Sequence, residues 1–178
     1  MRAKALLYQA ILVIEAAGQR ASFKFKLLGV QAVKNVNDLF EKFVKGRDRT
    51  PLIQRMMTRH GWSYQRAERA TKWYDMFLCI AAVHVTVTLV PCTDMDKVWE
   101  EHILCNTQEY VQICHDLCGR LLNHVDQKTL AQAEDFKDVS TSFEHTKHLF
   151  EEHFGPNVLE DDSHRPAACG RPGMAASE

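Results

Sequence analysis

His102, Cys114 and His124, with Glu100 close by, are the residues of this 178-residue chain whose types could do chemistry together. Two imidazoles, a thiolate and a carboxylate make a ligand set for zinc or iron. Spacing sets a condition on that set. Cys114 and His124 stand ten positions apart, a rise of about 15 Å on an unbroken helix, so one ion reaches both only if the chain bends near Gly119. Glu100 and His102 project about 200° apart on a helix. A thiol nucleophile is a second chemistry: Cys118 and His115 can touch across one helix face, whereas Cys114 lies next to His115 and points elsewhere. The alternative to both is packing. Trp99 with Ile103 and Tyr110 with Cys114 are i, i+4 pairs, so Trp99, His102, Tyr110 and Cys114 can face one another across two antiparallel helices, with His102 donating to a backbone carbonyl or a hydroxyl. The acidic pairs Glu100-Glu101 and Glu151-Glu152 read as solvated helix surface.

The elements that must hold these residues follow from hydrophobic periodicity. Leu6, Leu7, Ala10, Ile11, Ile14 and Ala17 predict a helix over 3–17, closed by Gly18, and spacings of three and four from Leu27 to Phe43 predict another over 25–44. A charged turn, 46–51, leads into a short helix over 51–59 with Thr50 as its cap. Ser63 caps a long helix whose buried stripe is Ala67, Ala70, Tyr74, Phe77, Leu78 and Ala81 and whose wet face carries Arg66, Glu68, Arg69, Lys72 and Asp75. His84 to Val90 alternates like a half-buried strand or an extended connector, and Pro91 ends it. Asp94 caps a helix through Trp99 and His102. Further helices are expected over 108–123, 127–136 and 140–153, the last stopped by Gly155-Pro156. From Asn157 onward small residues, prolines and glycines replace the apolar pattern. The chain thus reads as all-α, a compact bundle of about six or seven helices with a disordered C-terminal tail.

Composition fits that architecture. Hydrophobic residues make up 46% and charged residues 25%, the proportions of a globular domain. The net charge of −1 conceals +8 over residues 1–60 and −9 over 61–178, which reads first as internal complementarity and second as a basic surface for an anionic partner. Six cysteines form no CxxC pair, and Cys79 sits inside the apolar run 77–81, the behaviour of a small buried hydrophobe. Met1-Arg2-Ala3-Lys4 superficially starts like a signal peptide, but Gln9 and Glu15 interrupt the apolar stretch. With no apolar run of about 18 residues, the expectation is no membrane and a reducing, cytoplasmic setting.

The segment from Val90-Pro91 through Asp96, Trp99, His102, Ile103, Leu104, Thr107 and Tyr110, continuing to Cys114, Gly119 and His124, resembles the central motif of the glycine-rich domain-containing protein-like family. Gly61-Trp62-Ser63 and Tyr74-Asp75-Met76-Phe77-Leu78 are similar to that family's preceding helix, and Phe150, Phe154 and Gly155 to its closing motif. The resemblance spans about residues 51 to 156. It divides the chain into basic N-terminal helices over 1–50, the family-like helical domain over 51–156 and the tail over 157–178. Glu100, Ile113, Cys118 and Asn123 stand where the family has a histidine, an aspartate, an aromatic residue and a histidine. Plant members carry a glycine-rich extension and are linked to development and stress responses, with an RNA-binding role suggested; eight glycines in the whole chain form no such extension. The resemblance implies a fold and a shared pocket, and leaves the activity open.

Three function classes follow. The first is a cytoplasmic helical interaction module with a protein partner. The second is a metal-dependent enzyme or metal-binding protein that holds zinc or iron with Glu100, His102, Cys114 and His124. The third is RNA binding through the basic N-terminal segment.

Overall fold

The computed structural model describes residues 35–159 and 165–171. The helix expected over 3–17 and the first part of that over 25–44 lie outside the described residues. Seven helices are present among the described ones: α1 (Val36–Lys45), α2 (Thr50–His60), α3 (Tyr64–Val83), α4 (Thr93–Cys105), α5 (Thr107–Cys118), α6 (Gln127–Leu130) and α7 (Val139–Phe154). Two short strands, β1 (Val125–Asp126) and β2 (Cys169–Gly170), pair antiparallel. No helix among the described residues is long and apolar enough to cross a membrane.

α3 is the axis of the fold. Its last eleven buried positions run almost without a break from Ala70 to Ala81, the pattern of a helix covered on all sides. Helices α1, α2, α4, α5 and α7 all pack on it. α1 therefore belongs to the same compact unit, which begins at Asn35, although the sequence grouped it with the basic N-terminal part.

Local capping explains where the helices begin. Asn35 Oδ1 accepts the Asn37 N–H at 2.9 Å, Ser63 Oγ that of Arg66 at 3.3 Å and Asp138 Oδ1 that of Thr141 at 2.8 Å. At α2, Thr50 is not the cap; Asp48 Oδ1 accepts its N–H at 2.9 Å. Asp94 does not cap α4 either. The N-cap is Cys92, without a side-chain hydrogen bond, and Asp94 is drawn sideways to Arg66. Gly119 at φ 67 ends α5, five residues short of the predicted end, because a left-handed residue turns the chain out of the helix. The helix expected over 127–136 shrinks to one turn. Asp135 is used instead to accept the N–H and the hydroxyl of Thr88.

The tail departs most from expectation. Residues 165–171 are ordered and lie between two segments of the body. Val125 pairs with Gly170 and Asp126 with Cys169 on one side, while Leu89 pairs with Arg171 and Cys92 with Pro166 on the other. Leu89 N–H donates to Arg171 O at 2.9 Å, Arg171 N–H to Leu89 O at 2.8 Å, and Ala167 N–H to Pro91 O at 3.0 Å. The buried Arg171 guanidinium donates to the carbonyls of His84 at 2.7 Å, Val85 at 3.0 Å and Val87. In the tail, residues 165–171 order by satisfying backbone groups that the connector over 84–92 would otherwise leave bare. Apolar burial of its own plays the smaller part, and so its composition misled.

Gly170 is fitted to this arrangement. A Cβ there would collide with the Leu89 carbonyl oxygen, a backbone atom. Gly170→Ala should therefore push the tail off the connector. Hydrogen exchange at the Leu89 and Arg171 amides is expected to accelerate while the amides of α3 keep their protection. Parent-like protection of both amides would show that the close approach is not required.

Candidate functional site

Tyr74, Trp99, His102, Tyr110, His124 and Asp96 form one continuous, largely buried network. Tyr74 O–H reaches His102 Nδ1 at 2.9 Å. The His102 ring meets Tyr74 and Tyr110 edge-on at 5.7 and 5.5 Å. Trp99 Nε1–H donates to the Tyr110 hydroxyl at 3.1 Å, and that hydroxyl donates to Leu122 O. Trp99 in turn meets His124 edge-on at 4.7 Å, and His124 Nε2 lies 2.7 Å from Asp96 Oδ1. Thr107 opens α5 and donates to Ile103 O at 2.6 Å, and Gly119 closes it. The packing alternative had set these residues across the α4–α5 pair, and those two helices do pack together; His102 was expected to donate to a carbonyl or a hydroxyl, and instead its Nδ1 accepts from Tyr74.

The four ligands proposed from the sequence are not gathered. Glu100 turns outward to Lys97 Nζ at 2.6 Å. His102 faces Tyr74 and Cys114 lies beside Tyr110 and Leu122, both buried. His124 is bound to Asp96 instead. Among the described residues the one group of three with metal-ligating atoms in reach is Asp96, His124 and Cys169. The thiol nucleophile fares similarly. Burial pushes Cys114 up and Cys118 up to about 12, and no hydrogen bond among the described residues joins His115 to either.

What the sequence did not reveal is a set of buried carboxylates facing arginines. Asp75, placed on the wet face of its helix from periodicity, has no exposed surface. Arg47 Nη1 bonds its Oδ1, and Arg49 Nε lies 3.0 Å from Oδ2. Burial still lifts this carboxyl to about 6, against the pull of both arginines. Glu101 is likewise buried, held by Arg55, by His60 Nε2 at 3.0 Å and by Arg59 Nε at 3.6 Å. Burial pushes it up, but the hydrogen bonds from Arg55 and His60 and the charges of Arg55 and Arg59 together outweigh that and keep it below the usual range. Asp94 takes Arg66 on both oxygens, at 2.8 and 3.0 Å. The signal was present for Asp75, a lone acid inside the apolar run 73–81.

Arginines that hold Asp75 and Glu101 wall a cleft of about 500 Å³ lined by Arg47, Arg55, Arg59, His102, Asn106 and Glu109. It adjoins a wider groove of about 840 Å³ whose apolar side chains are Leu39 and Phe43 of α1 and Ile113 and Leu117 of α5. Arg47 lines both. Two nitrogens in the cleft wall, Arg47 Nε and His102 Nε2, are buried without a hydrogen-bond partner. Glu109 approaches both, Oε1 at 3.8 Å from the first and Oε2 at 4.0 Å from the second, too far to bond either. Asn106 Nδ2 holds that carboxylate at 2.8 Å. The Tyr74 hydroxyl has no other acceptor among the described residues and is assigned as the donor to Nδ1; the neutral His102 ring then carries its proton on Nε2, and both orphan nitrogens are donors.

No protein-family model matches the chain, and neither does a characterised protein or a solved structure.

Burial, helped by Arg47, brings His102 down to about 3 from 6.5. An unfolded chain protonates this ring below pH 6.5 and the folded one only near 3. Its contribution to stability is thus complete above 6.5 and falls by about 1.4 kcal/mol per pH unit below that. Asp75 acts in the opposite sense: its folded value of about 6 exceeds the ordinary 3.8, so its term rises as pH falls from 6 to 4 and offsets His102 there. Side-chain nitrogen NMR should find His102 as the neutral Nε2–H tautomer at pH 5. The Nδ1–H tautomer at that pH would overturn the assignment of the orphan donor, and an imidazolium signal would overturn the lowered pKa.

Proposed function

We propose that the chain is a helical interaction module that takes a segment of a protein partner in the cleft and groove beside the α1–α2 turn. The observation that carries this reading is the pair of orphan donors, Arg47 Nε and His102 Nε2, in the wall of a cleft that runs on into an apolar groove. Buried donors left unsatisfied cost about 1–3 kcal/mol each, and a hydrogen-bond acceptor placed between them removes that cost. Glu109 cannot serve from its present distance. Its side chain is 40% exposed, so it can swing aside. Lys42 and Arg47 are balanced along the groove by Asp48, Glu109 and Asp116, which favours a neutral acceptor such as a peptide carbonyl over a bare anion. Leu39, Phe43, Ile113 and Leu117 then supply the apolar contact that gives such grooves their affinity.

The resemblance to the glycine-rich domain-containing protein-like family supports the same reading, since a shared pocket is what it implies. A cytoplasmic setting goes with six cysteines that are all unpaired. RNA binding would rest on the basic charge of the N-terminal segment, most of which lies outside the described residues.

Selection of a random peptide library against the intact chain tests the proposal. Enriched peptides are expected to compete for one site, to lose at least about tenfold in affinity on Ile113→Asp, and to bind a Leu104→Asp variant as they bind the parent. Leu104 is 71% exposed and lines neither cavity. Peptides that bind Ile113→Asp undiminished, or no enrichment over an unrelated helical protein, would sink it.

A further inference from the structure

Four carboxylates are buried among the described residues: Asp75, Asp94, Asp96 and Glu101. Three have arginine partners, Asp75 with Arg47 and Arg49, Asp94 with Arg66, Glu101 with Arg55 and Arg59. Asp96 has none among the described residues. Its Oδ1 accepts from His124 Nε2 at 2.7 Å and from Cys169 Sγ at 2.6 Å. The N-terminus of α4 does not explain the difference. Asp94 sits in the same first turn and shares the favourable helix dipole, yet still takes an arginine on both oxygens.

We propose that Asp96, His124 and Cys169 form a binding site for one divalent transition-metal ion of the zinc type. Oxygen, nitrogen and sulfur together suit zinc and disfavour magnesium and calcium, which take oxygen ligands. The three ligand atoms lie within 4.8 Å of one another. Around a tetrahedral zinc with bonds of about 2.0–2.3 Å they would stand about 3.3–3.5 Å apart, so admitting an ion asks each to yield by less than about 1 Å. The side chains of Asp96 and His124 are 12% and 19% exposed, which leaves a path in and a fourth position for water. Trp99 against the His124 ring fixes its orientation.

The proton balance is simple. In the metal-free state the thiol and the imidazole N–H both donate to one carboxylate, and the site carries −1. On binding, the Cys169 thiol gives its proton to solvent and His124 keeps a single proton, on Nδ1. The carboxylate, the thiolate and the dication then sum to zero, as Asp94 and Arg66 do. The ligands come from α4, from the segment before β1 and from β2. A bound ion would therefore fasten the tail to the body.

Cobalt is the probe. The full chain, reduced and freed of metal with a chelator, is titrated with Co²⁺ alone. One equivalent is expected to give the visible bands of a tetrahedral ion with a thiolate-to-cobalt charge-transfer band, all abolished by added Zn²⁺. Cys169→Ser should remove the charge-transfer band, Asp96→Asn should weaken binding at least about tenfold, and Cys114→Ser should leave both unchanged. The proposal is overturned by the absence of saturable absorption in the parent, by a thiolate band that survives Cys169→Ser, or by one that Cys114→Ser abolishes. Should Cys169→Ser not fold, zinc-edge X-ray absorption of the parent decides: one sulfur with nitrogen and oxygen supports the site, and two or more sulfurs overturn it.

Discussion

An ionised carboxylate in the middle of the central helix is the constraint from which the rest follows. Taking a charge such as that of Asp75 out of water costs several kcal/mol, and only a well-placed countercharge offsets it. The countercharge comes from Arg47 and Arg49, in the turn between α1 and α2. That turn must therefore lie across α3, which brings α1 and α2 onto its flanks. The Arg47 guanidinium also stacks over Phe43 and Tyr74 at 5.4 and 5.9 Å, so the ion pair is walled by the rings it holds in place. With Arg47 committed to Asp75, its charge helps to keep His102 neutral, and its Nε is left in the cleft wall. The same pairing that closes the core leaves a buried donor, Arg47 Nε, without a hydrogen-bond partner.

The other arginine pairs apply the same device between neighbouring helices. Arg55 of α2 meets Glu101 of α4, and Arg66 of α3 meets Asp94 of α4. Each ties two helices at a defined rotation, because a carboxylate slipped to a solvent-facing position would leave the arginine a different partner. Asp96 stands out against this regularity, since it alone of the four depends on a histidine and on a thiol from the far end of the chain.

Periodicity was a good guide to the elements whose burial follows from their own spacing. α2, α3, α4 and α7 were legible, α3 with its Ser63 cap and α7 with its Gly155 stop, because amphipathicity is local, while the caps expected of Thr50 and Asp94 were displaced to Arg49 and Cys92. Asp75 and Glu101 were misplaced, since a helical wheel assigns acids to water and cannot see arginines arriving from 28 or 46 positions away. The tail was misread for a related reason: its order comes from carbonyls at 84–91 and from Leu89, which no window over 157–178 contains. In the site, the residue types were found and the grouping was not. His124 was singled out, yet Cys169 fell in a segment whose composition argued against structure. The bend at Gly119 turned His124 toward Asp96.

The motif residues also show why a conspicuous set of histidines, aromatics and a cysteine need not converge on one point. From Tyr74 the chain of contacts runs through His102, Tyr110, Trp99 and His124 to Asp96 and Cys169. Each inner member spends its polar atom on a neighbour: the Trp99 N–H goes to Tyr110, and the Tyr110 hydroxyl to Leu122. Such atoms have nothing left for a ligand. Chemistry is left at the two ends, where His102 keeps one nitrogen for the cleft and Asp96 meets a thiol and an imidazole without a guanidinium. The interior of the network supplies rigidity, since rings packed edge to face at 4.7 to 5.7 Å leave little room to reorient. The two ends lie on opposite sides of Trp99 and Tyr110 along that chain, so the cleft and the tail site draw on one scaffold while sharing no ligand atom.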